Sequence, residues 1–263
     1  MIIDTHCHLD DNRYLDDLPE VIARAALMDV KGILLAGADS EDLPLAQKIA
    51  HTYPHVYFSA GVHPYHHDQY DRELLRHYLQ DEKCIAVGEC GLDYFRLPKE
   101  DEHKHLEKER QKEVFIDQIK LAIEVQKPLI VHVRESSQDS LDILKTHAAG
   151  KIPGGVLHCY NASEILLALA EDNFFYGIGG VLTFSNAKKL VEVLPKIPLD
   201  KLLLETDAPY LTPHPHRGQR NEPGYTLHVA EKVSEILQIP LDEVKDLTTA
   251  NAKTLFKAFE KVI

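Results

Sequence analysis

The stretch Ile2-Ile3-Asp4-Thr5-His6-Cys7-His8 begins with apolar, β-branched residues and ends with histidines at alternate positions. Successive side chains of a β-strand point to opposite faces, so His6 and His8 share one face and Cys7 takes the other. Similar short apolar runs recur along the chain and predict eight strands. They cover residues 1–9, 31–38, 56–63, 84–91, 128–134, 154–160, 174–180 and 202–208.

Between these strands, and after the last one, lie stretches with apolar residues at positions i, i+3 and i+4. This spacing predicts helices. They cover residues 19–29, 41–52, 71–80, 103–126, 137–148, 163–171, 186–194, 225–238, 241–247 and 250–260. One strand follows another after about 29 residues, which is the size of a βα unit. Eight units predict an α/β fold, a single (β/α)₈ TIM barrel in one domain spanning residues 1–263. A doubly wound sheet is the alternative, but no Gly-rich phosphate loop follows the first strand.

The composition narrows the classes of function. The 263 residues carry a net charge of −13, which disfavours non-specific binding of a polyanion over the whole surface. A nucleic acid held locally by metal ions stays compatible with this charge. No apolar run approaches the roughly 18 residues of a membrane span, and no basic region precedes the first apolar residues. The four cysteines form no C-x-x-C pair. We therefore expect a cytoplasmic protein with reduced thiols and no membrane partner.

Ionisable residues recur where the predicted strands end, which is the catalytic face of a TIM barrel. A single buried histidine is usually a hydrogen-bonded core residue, but five of the eight predicted strands end in this way. The candidate metal ligands are His6, His8, Glu89, His132, His158 and Asp207. Imidazole and carboxylate together suit divalent transition metals better than calcium. A hydrogen-bonded polar plug is the alternative.

The order of the strands suggests two metal sites. His6, His8 and Asp207 would complete one site, because the first and last strands of a closed barrel are neighbours. His132 and His158, on adjacent strands, would complete the other, and Glu89 would bridge the two. Two divalent ions (Mg²⁺, Mn²⁺ or Zn²⁺) can activate a water together. Asp207 would then accept the proton of this water, and Glu89 and Asp207 are the candidate catalytic residues.

Further residues are candidates for contact with a substrate. His63 ends the third predicted strand, and Arg134 lies on the face of His132, so either can grip a phosphate. Arg217 and Arg220 belong to a basic loop after the last strand, a local patch where a nucleic acid can approach. Glu205 lies one alternation below Asp207; it either orients a ligand from behind or pairs with a buried cation.

Aromatic residues also follow the strand ends; each one by itself is expected to pack against the barrel rim, but together they can stack on unpaired bases. They are Tyr94, Phe95, Tyr160 and Tyr210. A narrow barrel mouth cannot admit a double helix, so these residues favour single-stranded substrates. The cysteines beside the candidate ligands alternate toward the helices and are expected to be small buried apolar residues. They are Cys7, Cys90 and Cys159.

Several longer motifs resemble those of the TatD family of metal-dependent nucleases, a branch of the amidohydrolase-like TIM barrels. They include Ile2–Asp10, Gly88–Tyr94, Pro128–Arg134, Gly155–Cys159 and Leu203–Leu211. The resemblance implies that the positions of the six candidate ligands bind divalent metals. It also implies hydrolysis of DNA phosphodiester bonds, in some members as a 3′→5′ exonuclease on single strands.

The chain departs from the family pattern in two places. Glu135-Ser136 stands where many relatives have Asp-Ala. The charged segment Leu97–Lys112 is longer than usual and either overhangs the site or is a solvated start of a helix.

The same metal site can instead hydrolyse an amide, a lactone or an aminoacyl-tRNA ester, although no lysine ends a strand here. A non-catalytic metal or nucleic-acid binder is the third hypothesis. The oligomeric state stays open.

Overall fold

The computed structural model describes residues 1–262 and contains an eight-stranded parallel sheet in which each strand pairs with the next along the chain. The strands are β1 (Ile2–Cys7), β2 (Val30–Leu35), β3 (Val56–Ala60), β4 (Cys84–Asp93), β5 (Leu129–Arg134), β6 (Gly155–Leu157), β7 (Phe174–Ile178) and β8 (Leu202–Leu204). A parallel bridge between Cys7 and Ala208 joins the last strand to the first. The N–H of His8 donates to the carbonyl of Ala208 at 2.7 Å, and that of Asp207 to the carbonyl of His6 at 2.9 Å. The predicted barrel is confirmed.

Helices follow the strands around the barrel. They are α1 (Leu18–Leu27), α2 (Leu43–Thr52), α3 (Arg72–Leu79), α4 (Asp101–Val125), α5 (Ser137–Ile143), α6 (Lys188–Val193), α7 (Thr226–Leu237) and α8 (Leu241–Leu255). No helix within residues 1–262 is both long enough and apolar enough to cross a membrane.

Four predicted helices differ from the structure. The sixth barrel unit has a 3₁₀ helix, Glu164–Asp172, and α5 continues as one π-helical turn, Leu144–Ala148. The two helices predicted at 241–247 and 250–260 are instead one helix, α8, followed by the 3₁₀ helix Lys257–Lys261. No glycine or proline lies between them, and the Oγ1 of Thr248 donates back to the carbonyl of Val244 inside the helix.

An apolar plug fills the barrel below the strand ends. Each strand contributes to it, and the buried residues are Ile3, Leu34, Tyr57, Ile85, Ala86, Ile130, Val156, Phe175 and Leu203. Phe256 and Phe259, which follow α8 in the chain, pack against this plug. The polar residues therefore collect at the opposite end, where each strand reaches its carboxyl terminus.

Strand β4 lies so close to β5 that a side chain at Gly88 or Gly91 of β4 would collide with the backbone of β5. Gly88 has φ +138°, and a Cβ there would lie 2.5 Å from the carbonyl oxygen of Ile130. Gly91 has φ +144°, and its Cβ would overlap the carbonyl oxygen of His132. Both residues use backbone conformations that favour glycine. The two glycines bring Glu89, which lies between them, close to the side chain of His132.

Candidate metal centre

The candidate ligands from β1 and from the loop after β8 form one group. The Nε2 of His6 lies 3.3 Å from the Nε2 of His8 and 3.3 Å from the Oε2 of Glu89. The Oδ1 of Asp207 lies 3.4 Å from the Nε2 of His8 and 3.7 Å from that of His6. His6 is fully buried, whereas the side chains of His8 and Asp207 are partly exposed toward the mouth of the barrel.

The other oxygen of Glu89 faces a second group. Its Oε1 lies 2.9 Å from the Nδ1 of His132 and 3.2 Å from the Nε2 of His158. The Nε2 of His63 lies 3.7 Å from the same oxygen. The carboxylate of Glu89 is therefore shared between two clusters, with one oxygen in each, as a bridging ligand requires.

The spacing and the chemistry of these atoms fit divalent metals. Four ligands held about 2.1 Å from a tetrahedral ion lie about 3.4 Å from one another. Several separations given above fall between 3.2 and 3.7 Å, longer than ordinary hydrogen bonds. The carboxylate oxygens and imidazole nitrogens suit Zn²⁺, Mn²⁺ and similar ions. The residues present thus fit divalent metal ions, while the 2.9 Å contacts of His132 with Glu89 and Asp93 have the length of hydrogen bonds.

Two further carboxylates stand behind the histidines of β5 and the β6 end. The Oδ2 of Asp93 lies 2.9 Å from the Nε2 of His132. The Oε1 of Glu205 lies 3.4 Å from the Nδ1 of His158 and accepts a hydrogen bond from the backbone N–H of Cys159 at 2.5 Å. Each ring therefore turns one nitrogen to Glu89 and the other to a carboxylate, which is the usual support of a metal-bound histidine.

Asp93 was not predicted as a site residue. Its sequence signal is alternation, because Glu89 and Asp93 lie four residues apart on one strand and so share a face. The hydroxyl of Tyr65 donates to Asp93 Oδ1 at 2.7 Å, and the side chain of Gln111 accepts from its backbone N–H at 2.9 Å. These contacts hold the carboxylate in place beside His132.

Asp4 supports the junction between β1 and the β8 end from below. The hydroxyl of Thr206 donates to its Oδ2 at 2.6 Å, and the backbone N–H of Thr206 donates to its Oδ1 at 3.0 Å. Asp4 therefore holds the segment that carries Asp207.

The charges within the cluster keep the carboxylates ionised. Burial alone would raise the pKa of Glu89, but the neighbouring histidines, His158 above all, hold it well below its usual value. Burial also opposes ionisation of Asp207, yet its contact with His8 lowers its pKa. Burial lowers the pKa of His63 to about 3, so this imidazole is neutral. The cluster thus presents charged oxygens together with one neutral ring at its edge.

The mouth of the barrel divides into two lobes on either side of these residues. The acidic lobe has a volume of about 550 Å³ and is bordered by Asp10, Asp39 and Asp42, which follow β1 and β2. The apolar lobe, about 510 Å³, is bordered by loops that follow β5 to β8. Its walls are Tyr160, Val181, Ala187, Leu190 and Leu211. Both lobes open onto His132, His158 and Asp207.

Of the predicted substrate contacts, two lie at the mouth. Arg134 borders both lobes, and its guanidinium carbon lies 3.7 Å from the centre of the Phe95 ring. His63 borders the acidic lobe.

The structure gives Arg217 and Arg220 other partners, and neither borders a lobe. Arg217 lies 3.9 Å above the ring of Phe184. Arg220 donates to Asp17 at 2.7 and 2.8 Å and to Glu222 at 3.0 Å. Asp17, Arg24 and Glu222 complete this ion-pair network, so the charge of Arg220 is already compensated.

The aromatic residues also separate into two classes. Phe95 and Tyr210 are each 49% exposed, and each ring has a guanidinium group over it, that of Arg134 and that of Arg13 respectively. Tyr94 and Tyr160 are buried, and their hydroxyls donate to Asp139 and to the carbonyl of Ser163, so both pack against the rim of the barrel. The side chain of Tyr160 still borders the apolar lobe. The first turns of α4 are exposed, which agrees with a solvated helix start.

The prediction for the cysteines holds at two positions. Cys7 and Cys90 are fully buried in the core, away from the candidate ligands. Cys159 is only partly buried and borders the apolar lobe. It differs because β6 ends at Leu157, so the alternation of the strand does not extend to residue 159.

Comparisons with known proteins agree with this geometry. Residues 3–257 match the family described as TatD related DNase. An uncharacterized metal-dependent hydrolase of Bacillus subtilis, YabD, is 41% identical, with 98% of this chain and 99% of the relative aligned. The 3'-5' ssDNA/RNA exonuclease TatD of Salmonella typhimurium is 34% identical over 97% of this chain and 99% of its own. The crystal structure of YJJV, a TatD homologue from Escherichia coli, superposes with a TM-score of 0.88 at 31% identity, covering 97% and 98% of the two chains. The chain belongs to the TatD family of metal-dependent hydrolases.

Proposed function

We propose that this chain is a metal-dependent phosphodiesterase that removes nucleotides from the 3′ end of single-stranded DNA, with two divalent ions in the site. The observation that carries the proposal is the carboxylate of Glu89, which turns one oxygen to His6 and the other to His132 and His158. The exonuclease named among the relatives supports the choice of substrate.

In this proposal His6, His8 and Asp207 would hold one ion, His132 and His158 would hold the other, and Glu89 would be a ligand of each. When bound, the two ions make a water nucleophilic near neutral pH and offset negative charge on the phosphate. Which of Mg²⁺, Mn²⁺ and Zn²⁺ occupies the site depends more on the availability of each ion than on the types of ligand.

The residues of the chain then handle the proton and the phosphate. Asp207 takes the proton of the attacking water on its carboxylate and returns it to the leaving 3′ oxygen. Arg134 offers a planar fork of N–H donors to the phosphate oxygens. Neutral His63 offers a ring N–H beside it. Asp93 and Glu205 hold the rings of the ligating histidines in place.

We propose a single-stranded substrate because a narrow barrel mouth cannot admit a double helix. Exposed Phe95 and Tyr210 can stack on unpaired bases at its rim. Contact of Arg217 and Arg220 with the nucleic-acid substrate remains a prediction. The ion pairs of Arg220 leave its guanidinium less free to make that contact. We also propose that the chain works as one domain, and its cytoplasmic location stays a prediction.

The experiment is a time course on a 5′-labelled single-stranded oligonucleotide with Mg²⁺ or Mn²⁺. We expect a ladder that shortens from the 3′ end and is absent with EDTA and in Asp207→Asn. Asp68 is exposed and makes no ion pair within residues 1–262, so Asp68→Asn is the matched control and should retain the ladder. An intact oligonucleotide in the presence of folded, metal-loaded protein would refute the proposal.

The acidic lobe favours a second candidate function. Asp10, Asp39 and Asp42 place negative charge beside the candidate ligands, which suits a substrate with an ammonium group, such as an aminoacyl ester. Hydrolysis of an aminoacyl ester, lost in Asp207→Asn, together with an intact oligonucleotide, would select this function.

A further inference from the structure

We propose that the apolar lobe binds the nucleobase of the 3′-terminal nucleotide, an inference that rests on the proposed phosphodiesterase function. The lobe begins at the candidate metal ligands His132, His158 and Asp207 and extends over the loops after β6 and β7. A phosphate held at those ligands therefore has the lobe directly beside it.

Charge on the opposite side of the mouth directs the substrate toward this lobe. Asp10 is 6% exposed, and no side chain of residues 1–262 donates a hydrogen bond to its carboxylate. Asp39 and Asp42 border the same acidic lobe. The cations of this lobe, Arg96 and Arg134, border it at the ends of β4 and β5, whereas Asp10 and Asp42 make no ion pair within residues 1–262, so a further phosphate would be repelled beside them. The uncharged part of the substrate is therefore best placed in the apolar lobe.

The lining of the apolar lobe suits a flat heterocycle. Its volume of about 510 Å³ is in the ordinary range for small-molecule sites, about 300–1,000 Å³. The walls are aliphatic and aromatic, and two polar groups, Asn186 and Lys189, lie at the rim. Within the described part of the chain neither side chain makes a hydrogen bond, whereas the Asn161 amide is used by Val133, Ser137 and Ser163. A free amide and an ammonium can read the polar edge of a base whose faces contact apolar walls.

The terminal nucleotide fits this lobe better than an internal one. A nucleotide at the 3′ end carries its phosphate on the 5′ side and only a hydroxyl on the other, so no further phosphate has to cross the apolar walls. Hydrolysis adds water to the phosphorus and breaks the bond to the 3′ oxygen of the preceding nucleotide. The products are a nucleoside 5′-monophosphate and a strand with a free 3′ hydroxyl.

Three small phosphodiesters test the inference with the metal-loaded enzyme. Thymidine 5′-(p-nitrophenyl phosphate) places the base as a 3′-terminal nucleotide does, thymidine 3′-(p-nitrophenyl phosphate) reverses it, and bis(p-nitrophenyl) phosphate has no base. We expect kcat/KM for the 5′ ester to exceed that for the 3′ ester by about tenfold or more. Equal values for the two esters would overturn the inference.

Variants of the lobe add a second comparison. Ala187→Leu reduces the volume of the lobe, and Asn186→Leu removes the free amide. Each variant should lower kcat/KM for the 5′ ester about tenfold more than it lowers kcat/KM for bis(p-nitrophenyl) phosphate. Exposed Ala250→Leu in α8 and exposed Asn12→Leu are the matched controls and should leave that ratio as in the original chain. An equal fall for both substrates in the lobe variants would contradict the inference, while the proposed phosphodiesterase would stand.

Calorimetry provides a readout that does not depend on turnover. Thymidine 5′-monophosphate should bind the metal-loaded protein about tenfold more tightly than inorganic phosphate, and Ala187→Leu should remove most of this difference. Equal affinities would overturn the base site. If none of the three esters were hydrolysed but the monophosphate still bound more tightly, the proposed function would fail and the base site would remain.

Discussion

The carboxylate of Asp93 lies 2.9 Å from the Nε2 of His132, and this contact leaves the Nδ1 of the same ring 2.9 Å from Glu89. The ring is therefore oriented by a carboxylate on each side, and only its Nδ1 faces the shared carboxylate of the candidate metal centre. Partners of this type fix the orientation and raise the basicity of ligating histidines.

Replacement of this partner should weaken the metal site. We expect Asp93→Asn to lower the affinity for Mn²⁺ or Zn²⁺ about 10–100-fold, because the ring loses the charged group that orients it. Competition against a chelating dye measures the affinity, and Asp68→Asn is the matched control. Unchanged affinity in a folded Asp93→Asn protein would contradict the orienting role.

Gly177 makes room for the carboxylate behind His158. A Cβ at Gly177 would overlap the Oε2 of Glu205, whereas one at Gly179 would lie 3.6 Å from Glu205 Cγ, an ordinary contact. Gly177→Ala should therefore displace Glu205 and lower metal affinity about tenfold or more, since His158 loses its partner. Gly179→Ala adds the same methyl group two residues away and serves as the control. Equal affinities in the two variants would show that Glu205 can move at no cost to the site.

Metal binding should stabilise the fold. An ion present at 100 times its Kd adds about 2.7 kcal/mol to the free energy of unfolding. In a domain of this size 1 kcal/mol raises Tm by about 2–4 °C, so we expect Mn²⁺ to raise Tm by about 5–10 °C. Differential scanning calorimetry with and without EDTA measures the shift. Glu89→Gln should reduce it, and an undiminished shift in that variant would argue that the ion binds elsewhere.

The ion-pair network of Glu222 should make stability depend on pH. Burial alone would raise the pKa of Glu222, but Arg24 and Arg220 hold it below its ordinary value of 4.5. A carboxyl whose pKa is lowered by folding adds stability above its unfolded pKa and loses it as the pH falls through the folded value. Glu222→Gln should therefore cost about 1–3 kcal/mol at pH 7.

The same variant should differ less from the original chain as the pH falls below about 4, because the carboxyl of the unfolded chain takes up a proton first and that of the folded chain follows at its lower pKa. Urea unfolding at a series of pH values measures both quantities. Exposed Glu192→Gln, which has no ion pair within residues 1–262, should change stability by less than about 0.5 kcal/mol throughout. A cost of Glu222→Gln that is the same at pH 7 and pH 3 would contradict the ion-pair explanation.

Much of the candidate site could be predicted because its signals are local. His6 and His8 are two residues apart on one strand, and alternation places both on the same face without any tertiary information. Asp93 carried the same signal four residues beyond Glu89 and could have been predicted. Cys159 could not, because β6 ends before it and the alternation of a strand stops where the strand does.

The partners of the basic loop could not be predicted from the pattern of charges. Arg220 contacts Asp17, which lies 203 residues earlier in the chain, and only the closed barrel brings the two together. The same holds for the two lobes, since each is built from loops that follow several different strands.

The sequence by itself therefore determined the barrel and the identity of the six candidate ligands, because strand periodicity and the position of ionisable residues at strand ends are properties of short segments. Tertiary structure alone decided which nitrogen of each histidine faces Glu89, which arginine is already paired, and which side of the mouth is acidic. Those features depend on distances between side chains from separate strands and loops, and such distances exist only once the barrel has closed.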